Sequence, residues 1–591
     1  MDNQIKKQSL VLRFIREFLV YRKHAIVAVI TIILGTIVSL YPPYILSIAI
    51  DKYLIVGHAE GFLTLSLIYL ALILIQWIIQ MIRSYTIELI GQKMVYSLRM
   101  RLFSKLLQTK IGFYKDKYVG DIVSRIVNDT TTIVDVFVSG LLNVIGDIIT
   151  IIGVLIMMFT LSQTLTLASM ISIPLFVFIS IYLGAKMRLA HRDVRRRIGG
   201  LTSIVEETYS GIDVIKSFNR EKRFVDKFLN ESIHTVKSSL QAAILTSLYW
   251  SSTGFVSTLS SIAVLLIGGY LASIEAVSIG TVVAFTQYVG RFMGPINNIA
   301  GMYDRLQQAL ASLERVYEVL DFPEVEEDKG VELKKLKGEI IFDNVWFEYE
   351  KGVPILKNVN FHIKPGELVA IVGPTGAGKT TIVNLLLKFY EPTVGRILID
   401  GIDIKEVKRS CLRRRISYVP QEVYLFPGTI LDNIKIGKPE AKDEEVIEVC
   451  KKLGVHEFIE KLPKGYYTDA GEAGKKLSVG ERQLIAIARA MLRDPDIVVL
   501  DEATSSIDPY TDELLRNAIK NLMAGRTGII IAHRLVTARS CDRVIVVNEG
   551  VVGEVGTFDE LLNKKGIFYK LYQAQMSRTI ELEYSYQYAG L

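Results

Sequence analysis

Six long apolar runs fill the first half of this 591-residue chain and restrict that half to a fold built on membrane-spanning helices. Crossing the hydrocarbon core of a bilayer takes about 20 apolar residues, because a helix rises 1.5 Å per residue. The runs are Ile26 to Ile45, Leu63 to Ile82, Ile133 to Phe159, Leu165 to Leu183, about Ser247 to Leu271 and about Val277 to Ile299. The last run is more polar than the others. We predict six spans here and a soluble second half.

The connections between these runs differ sharply in positive charge. After runs one, three and five the connections are short, and Lys52 is the only lysine or arginine in them. After runs two and four they are long and rich in such residues, for example Arg99, Arg101 and Arg195. Because such loops stay on the cytoplasmic side, we place both long connections, both termini and the second half in the cytoplasm, and the spans in the cytoplasmic (plasma) membrane. The formal net charge of +7 then reflects contact with lipid headgroups, and no nucleic-acid partner is expected.

In the second half, a glycine-rich run from Gly373 to Thr380 follows the apolar stretch Glu367 to Val372 and precedes a helix-like stretch. Glycines in such a loop turn backbone N–H groups toward a phosphate, and the next helix adds its positive dipole end. The pattern therefore predicts a nucleoside triphosphate site, in which Lys379 reaches the β- and γ-phosphates and Thr380 binds Mg²⁺. The predicted ATP-binding residues here are Gly373, Pro374, Thr375, Gly376, Ala377, Gly378, Lys379, Thr380 and Thr381.

A second strand-like stretch, Asp496 to Glu502, ends in two carboxylates about 120 residues further along the chain. Asp501 is expected to hold Mg²⁺ through water, and Glu502 to act as the general base that polarises the attacking water. The tip of a strand beside a phosphate loop brings a carboxylate within reach of that water. Such a strand end is common by itself, but together with an intact phosphate loop it predicts nucleotide hydrolysis.

Between these two motifs, the run Leu477-Ser478-Val479-Gly480-Glu481 precedes an alanine- and isoleucine-rich stretch. This run resembles the signature motif of ATP-binding cassette (ABC) proteins, and the family's other motifs occur in the family's order. The resemblance implies roles for Tyr349 in stacking on adenine, Gln421 as the Q-loop residue that binds Mg²⁺, Asp508 in the D-loop and His533 at the γ-phosphate. It also implies ATP and Mg²⁺ as cofactors, with Lys379, Glu502 and His533 as catalytic residues.

Six spans ahead of one cassette resemble a half-transporter of the exporter type in that family. The stretches Gly112 to Asp129 and Glu206 to Glu221 are similar to its two cytoplasmic coupling loops. Within the second stretch, Ile212, Ile215 and Phe218 recur at helical spacing. Such a face would fit a groove on a cassette, and packing on the extensions of its own spans remains the alternative.

An acidic stretch punctuated by proline and glycine, Asp321 to Gly330, is typical of a linker between domains. The predicted organisation is an all-α six-helix transmembrane domain at 1–320 with two cytoplasmic coupling loops, followed by a linker at 321–337. An α/β P-loop ATPase, the ABC nucleotide-binding domain, is predicted at 338–577, with a tail at 578–591.

The signature run departs from the family's usual Leu-Ser-Gly-Gly-Gln at Val479 and Glu481. In the family, the signature of one chain closes over the nucleotide of its partner, so that Ser478 and the Gly480 N–H would donate to the partner's γ-phosphate. Val479 limits backbone freedom there, and Glu481 adds negative charge near a polyanion. We therefore expect a heterodimer in which this chain supplies complete Walker motifs and a partner supplies the standard signature. A homodimer that tolerates the variant signature remains the alternative.

The expected activity is export of an amphipathic small molecule or lipid, driven by ATP hydrolysis. Alternatives are a homodimeric lipid flippase and an ATP-gated channel or regulator, and the presence of Glu502 and His533 disfavours gating. Phe285 and Tyr288 would suit an amphipathic substrate, but they would equally suit helix packing. Three ionisable residues in or near the spans receive no role: Asp135, Asp147 and Arg291.

Overall fold

The computed structural model describes residues 2–115, 117–170, 172–501, 508–532 and 535–576. The chain divides into two compact units. One consists of Met1–Leu107 and Lys117–Pro323, and the other of Gln108–Asp116 and Glu324–Leu591. We call them the helical unit and the sheet unit. The short segment 108–116 is thus grouped with the sheet unit, although the chain on both sides of it belongs to the helical unit.

Long helices make up the helical unit. They are α1 (Asp2–Phe18), α2 (Arg22–Ala49), α3 (Ala59–Gln108), α4 (Val119–Ser124), α5 (Thr130–Val134), α6 (Leu141–Leu161), α7 (Gln163–Met170), α8 (Ser172–Ser210), α9 (Ile212–Ser217), α10 (Glu221–Ser273) and α11 (Ile279–Leu320). Short π-helical turns join α4 to α5 and α5 to α6, so that Val119–Leu161 is one helical span. Proline is tolerated inside α2, at Pro42 and Pro43, and inside α11, at Pro295.

Among the described residues, five helices are long and apolar enough to cross a membrane. They are Leu10–Leu54, Ala59–Gln108, Val119–Leu161, Gln163–Ser210 and Glu221–Ser273, and each contains one of the first five predicted runs. Most of the sixth run lies in the 42-residue helix α11, which is not among these five helices. The long basic connections are largely helical rather than loops. The 50-residue helix α3, for example, extends for about 75 Å, well beyond a bilayer.

Two features bear on the predictions made for the spans. Phe285 and Tyr288 are fully buried in a cluster formed by α6, α7, α10 and α11, so in this structure they pack between helices. In the predicted second coupling loop, Ile215 is buried, whereas Phe218 is 70% exposed. The three residues predicted to share one face therefore differ in burial.

Within the described residues, the sheet unit contains ten strands, nine helices with the bounds given below and a further helical stretch at 567–576. The strands are β1 (Ile340–Glu350), β2 (Val353–Ile363), β3 (Leu368–Val372), β4 (Val394–Ile399), β5 (Ile402–Asp403), β6 (Ile416–Val419), β7 (Ile497–Asp501), β8 (Thr527–Ile531), β9 (Arg543–Asn548) and β10 (Val551–Gly556). The helices are α12 (Lys379–Leu386), α13 (Arg409–Arg415), α14 (Ile430–Lys435), α15 (Asp443–Leu453), α16 (His456–Glu460), α17 (Val479–Leu492), α18 (Pro509–Met523), α19 (Leu535–Ala538) and α20 (Phe558–Lys564).

These strands form two sheets. The first is antiparallel, with the order β2-β1-β4-β5, and the second has six strands in the order β10-β9-β3-β8-β7-β6. In the second sheet β6, β7, β8, β3 and β9 are parallel, and β10 is antiparallel to β9. Strands β3, β7 and β8 are almost continuously apolar because both faces of a parallel sheet are covered. The carboxyl ends of β3 and β7 therefore lie at the same edge, with β8 between them.

The predicted linker is bound to the sheet unit. The Glu326 carboxylate forms ion pairs of 2.9 Å with Arg409 and with Arg413. The Glu326 N–H donates to the Gln108 carbonyl oxygen at 2.7 Å. The first part of the predicted linker is therefore held in place on the sheet unit, where the sequence suggested only a polar connection.

Candidate active site

The loop between β3 and α12 has the backbone conformation that a phosphate site requires. Gly376 and Gly378 have φ angles of +83° and +102°. These values are in the left-handed region, where glycine is favoured. Gly378 is the N-cap of α12 and provides no side chain to cap the helix. The first turn of α12 thus directs its N–H groups and its dipole toward the loop, as an anion site needs.

Lys379 lies at the centre of this loop. Its Nζ donates to the carbonyl oxygens of Gly373 at 2.7 Å and Pro374 at 2.9 Å, and the residue is only 6% exposed. Burial lowers the pKa of Lys379, while the negative charge of Asp501 acts in the opposite direction. The ammonium group is thus held inside the loop, where an arriving phosphate can replace the two carbonyl partners.

Asp501 ends β7 at the same sheet edge and is 5% exposed. The Tyr418 hydroxyl, on β6, hydrogen-bonds to Asp501. Burial, reinforced by this carboxylate, raises the pKa of Tyr418 to about 12, so the hydroxyl remains a donor. The exposed side chain of Thr380 follows Lys379 on α12. A hydroxyl and a carboxylate of this kind are ligands that Mg²⁺ accepts, so the residues present fit a Mg²⁺–nucleotide complex.

Tyr349, the predicted adenine-stacking residue, lies near the end of β1 beside α12. Its hydroxyl donates to Thr381 Oγ1 at 3.3 Å and accepts from Asn384 Nδ2 at 3.2 Å. Its ring meets those of Phe347 and Tyr390 edge to face, with centroids 4.8 and 5.0 Å apart. These contacts with neighbouring residues of the sheet unit fix the orientation of the Tyr349 ring.

The signature run forms the N-terminus of α17. Ser478 is the N-cap, and its Oγ accepts from the Glu481 N–H at 3.2 Å, while the Ser478 N–H donates to Glu481 Oε2 at 2.6 Å. This is a capping box, a reciprocal pair that satisfies two backbone donors. Val479 is 42% exposed, and Gly480 is buried.

The remaining predicted residues are placed as follows. Gln421 is exposed, two residues after the end of β6. Asp508 is the N-cap of α18, where its Oδ1 accepts from the Thr511 N–H at 2.9 Å, and this hydrogen bond lowers the pKa of Asp508. Glu502 and His533 lie outside the described residues.

Sequence reasoning missed three residues that hold the site together. Tyr418 holds Asp501, while Asn384 and Tyr390 hold Tyr349. Tyr418 was visible only as a neighbour of Gln421. No sequence signal pointed to Asn384 or Tyr390, because their contacts with Tyr349 join residues that are about 35 to 41 positions apart in the chain and form only in the folded unit.

Comparison with known proteins identifies the family. Residues 25–296 match the family of ABC transporter transmembrane regions, and residues 356–505 match the family described as ABC transporter. The chain is also 36% identical over 579 residues to the uncharacterized ABC transporter ATP-binding protein YfiC of Bacillus subtilis (strain 168), a match that covers 96% of this chain and 94% of YfiC. The chain is an ABC transporter. 

This ABC transporter has two further informative relatives. It is 38% identical over 509 residues to a fatty acid ABC transporter ATP-binding/permease protein of Mycobacterium tuberculosis (strain CDC 1551 / Oshkosh), covering 86% of this chain and 80% of the relative. A bacterial Atm1-family ABC exporter, solved with ATP bound, superposes with a TM-score of 0.76 at 27% identity, over 94% of this chain and 98% of that one.

These matches confirm the two-part fold and the assignment as an exporter half-transporter. The ABC transporter is a multi-pass membrane protein that works as a dimer in lipid, binds ATP and couples its hydrolysis to export.

Proposed function

We propose that this ABC exporter moves an amphipathic lipid or small molecule out across the cytoplasmic membrane, paired with a different chain. The observation that carries the ATP-driven part is the convergence of Lys379 and Asp501 at one sheet edge, where the carboxylate charge acts on the ammonium. In this proposal Thr380, Gln421 and Asp501 hold Mg²⁺ beside the phosphates. Glu502 and His533 complete the hydrolytic set.

The amphipathic substrate is supported by polar groups among the apolar helices. Arg83 Nη2 donates to Asn143 Oδ1 at 2.6 Å, and its guanidinium attracts the carboxylate of Asp147. The Asn298 side chain hydrogen-bonds to the Asp147 carboxyl group, and among the described residues none donates to its buried Oδ2 atom. Ionisable groups within spans are costly and often mark substrate pathways. They would serve the polar end of a molecule whose apolar part lies among the spans, and the fatty acid relative has a substrate of that chemistry.

Pairing with a different chain is supported by the signature run. Glu481 brings a carboxylate to the N-terminus of α17, where the family's pattern expects a partner's γ-phosphate. Val479 occupies a position that is usually glycine. A partner with the standard signature would serve the nucleotide held by Lys379 better than a second copy of this chain. The basic helical connections support a cytoplasmic location for the sheet unit and both termini.

The test is ATP hydrolysis by the purified chain in lipid vesicles, alone and together with an ABC half-transporter that carries the standard Leu-Ser-Gly-Gly-Gln signature. We expect turnover only with both chains, and loss of that turnover in Glu502→Gln. Appreciable Glu502-dependent turnover by the single chain would contradict the heterodimer and support a homodimer.

A second experiment measures transport of a fluorescent fatty acid across the membrane of the same vesicles. ATP-dependent movement of the probe that is reduced in Asp147→Asn, but not in Asp135→Asn, would support the substrate class. ATP-dependent ion conductance without probe movement would instead support a gated channel.

A further inference from the structure

The segment 108–116 leads directly out of α3 and is held on the sheet unit by its backbone. The Lys110 N–H donates to the Glu324 carbonyl oxygen at 3.2 Å, and Thr109 forms an antiparallel bridge with Val325. Together with the bond from the Glu326 N–H to Gln108, these contacts make a short two-stranded clasp. The position of this segment is therefore fixed at its base by main-chain pairing.

After this pairing, the segment forms a short 3₁₀ turn, Ile111–Tyr114. The turn lies beside two aromatic residues of the proposed nucleotide site, Tyr349 and Tyr390. The turn passes so close to the Tyr390 ring that a Cβ added at Gly112 would lie 3.4 Å from it. The next residue after the turn is Lys115, an exposed side chain. Its Nζ lies over the ring of Tyr349, 4.8 Å from the centroid, which is a cation–π contact.

The other contacts of Tyr349 come from the core of the sheet unit. Phe347 and Tyr390 meet its ring edge to face, and its hydroxyl bonds to Thr381 and Asn384 on α12. The Lys115 ammonium lies over one face of the ring. An adenine base that stacks on this face of Tyr349 needs the same position.

We propose that Lys115 covers the stacking face of Tyr349 before nucleotide binds, and that the adenine of an incoming ATP displaces its ammonium group. This inference rests on the proposed function, because it takes Tyr349 as the base-stacking residue. Binding of the base thereby changes a contact of the segment 108–116, and this change is separate from the contacts of the triphosphate with Lys379.

The test measures equilibrium binding of ATP and Mg²⁺ to the full chain in lipid, with Glu502→Gln present to prevent turnover. Removing a competitor tightens binding, so Lys115→Ala should lower the Kd for ATP about twofold to fivefold, the effect of one exposed cation–π contact. Lys115→Arg, which keeps a cation over the ring, should bind ATP as the parent does. Lys110→Ala, a change of a neighbouring lysine in the same segment, is the matched control and should also leave the Kd unchanged. Weaker or unchanged binding in Lys115→Ala overturns the inference.

A second readout separates competition at the base from a general effect on folding. Inorganic triphosphate has no base, so its affinity should be the same in the parent and in Lys115→Ala. In a Tyr349→Ala background, Lys115→Ala should have no effect on ATP. If neither Tyr349→Ala nor Lys379→Ala weakens ATP binding, the proposed nucleotide site itself fails. If both weaken it while Lys115→Ala also does, only the role of Lys115 is wrong.

Discussion

Two helices of the sheet unit begin where the ABC pattern places phosphate, and they begin in opposite ways. Helix α12 starts after Gly378, which is left-handed and has no side chain to cap the helix. Helix α17 starts after Ser478, whose side chain and backbone form a reciprocal pair with Glu481. We call α12 the open helix, because no side chain caps its N-terminus. We call α17 the closed helix, because the Glu481 carboxylate of the same chain takes part in capping its N-terminus.

The two N-termini serve different purposes: that of α12 favours anion binding, and that of α17 favours helix stability. An uncapped N-terminus leaves its donors and its positive dipole end for an external anion, at a cost in intrinsic helix stability. A capping box stabilises the helix, but its carboxylate already lies where an anion would approach. We therefore interpret α12 as the main phosphate site of this chain. The N-terminus of α17 is a stable structure that a partner's nucleotide can approach only against the charge of Glu481.

The largest expected effect is at the open helix. Replacing Lys379 with alanine removes the ammonium group that now rests on the carbonyl oxygens of Gly373 and Pro374. ATP turnover of the assembled exporter should fall by about 100-fold or more, as when one preorganised electrostatic partner is lost from an active site. Lys364→Ala, which changes an exposed lysine just after β2, is the control and should retain turnover. A loss of less than tenfold in Lys379→Ala would contradict this interpretation of α12.

A smaller effect is expected from the loop glycines. An alanine Cβ at Gly378 would lie 2.6 Å from Leu356 Cδ2, whereas at Gly376 nothing lies within 4 Å. Both positions have positive φ, so each alanine variant should lose about 1–2 kcal/mol of stability to backbone strain. Gly378→Ala should weaken ATP binding more than Gly376→Ala, by about tenfold, because its added contact also shifts the start of α12. The measurements are thermal unfolding and the Kd for ATP, and equal losses of affinity in both variants would exclude a role for the Leu356 contact.

The open helix was predictable from sequence, because its conformation is encoded locally. Glycine at the left-handed positions and a lysine at the start of the helix specify the loop with little help from the rest of the fold. The long spans were predictable for a similar reason, since apolar length alone determines which segments can cross a bilayer. The sixth run was less clear, because α11 carries Arg291, whose guanidinium donates to the Ser39 carbonyl oxygen on α2.

Other features could be read only from the structure or were read incompletely. The contact of Lys115 with Tyr349 joins residues far apart in sequence, and it depends on the clasp between Thr109 and Val325. The capping box, by contrast, was visible in the sequence as serine followed three residues later by glutamate before an apolar run. Sequence reasoning assigned Glu481 only a charge that opposes phosphate. The structure adds that this carboxylate binds the Ser478 N–H.

The smallest effect tests the closed helix, and two variants of Glu481 separate its charge from its capping role. Glutamine at this position can still accept from the Ser478 N–H, so Glu481→Gln should keep the thermal midpoint while removing the negative charge. Turnover at the site that uses this signature should then rise about twofold to fivefold, the usual size of one charge at a helix terminus. Glu481→Ala removes both functions and should destabilise the chain by about 1 kcal/mol. If Glu481→Gln leaves turnover unchanged or slows it, the carboxylate does not hinder the partner's phosphate. In that case the departure at Val479 would be the only remaining reason in the signature to expect two different chains.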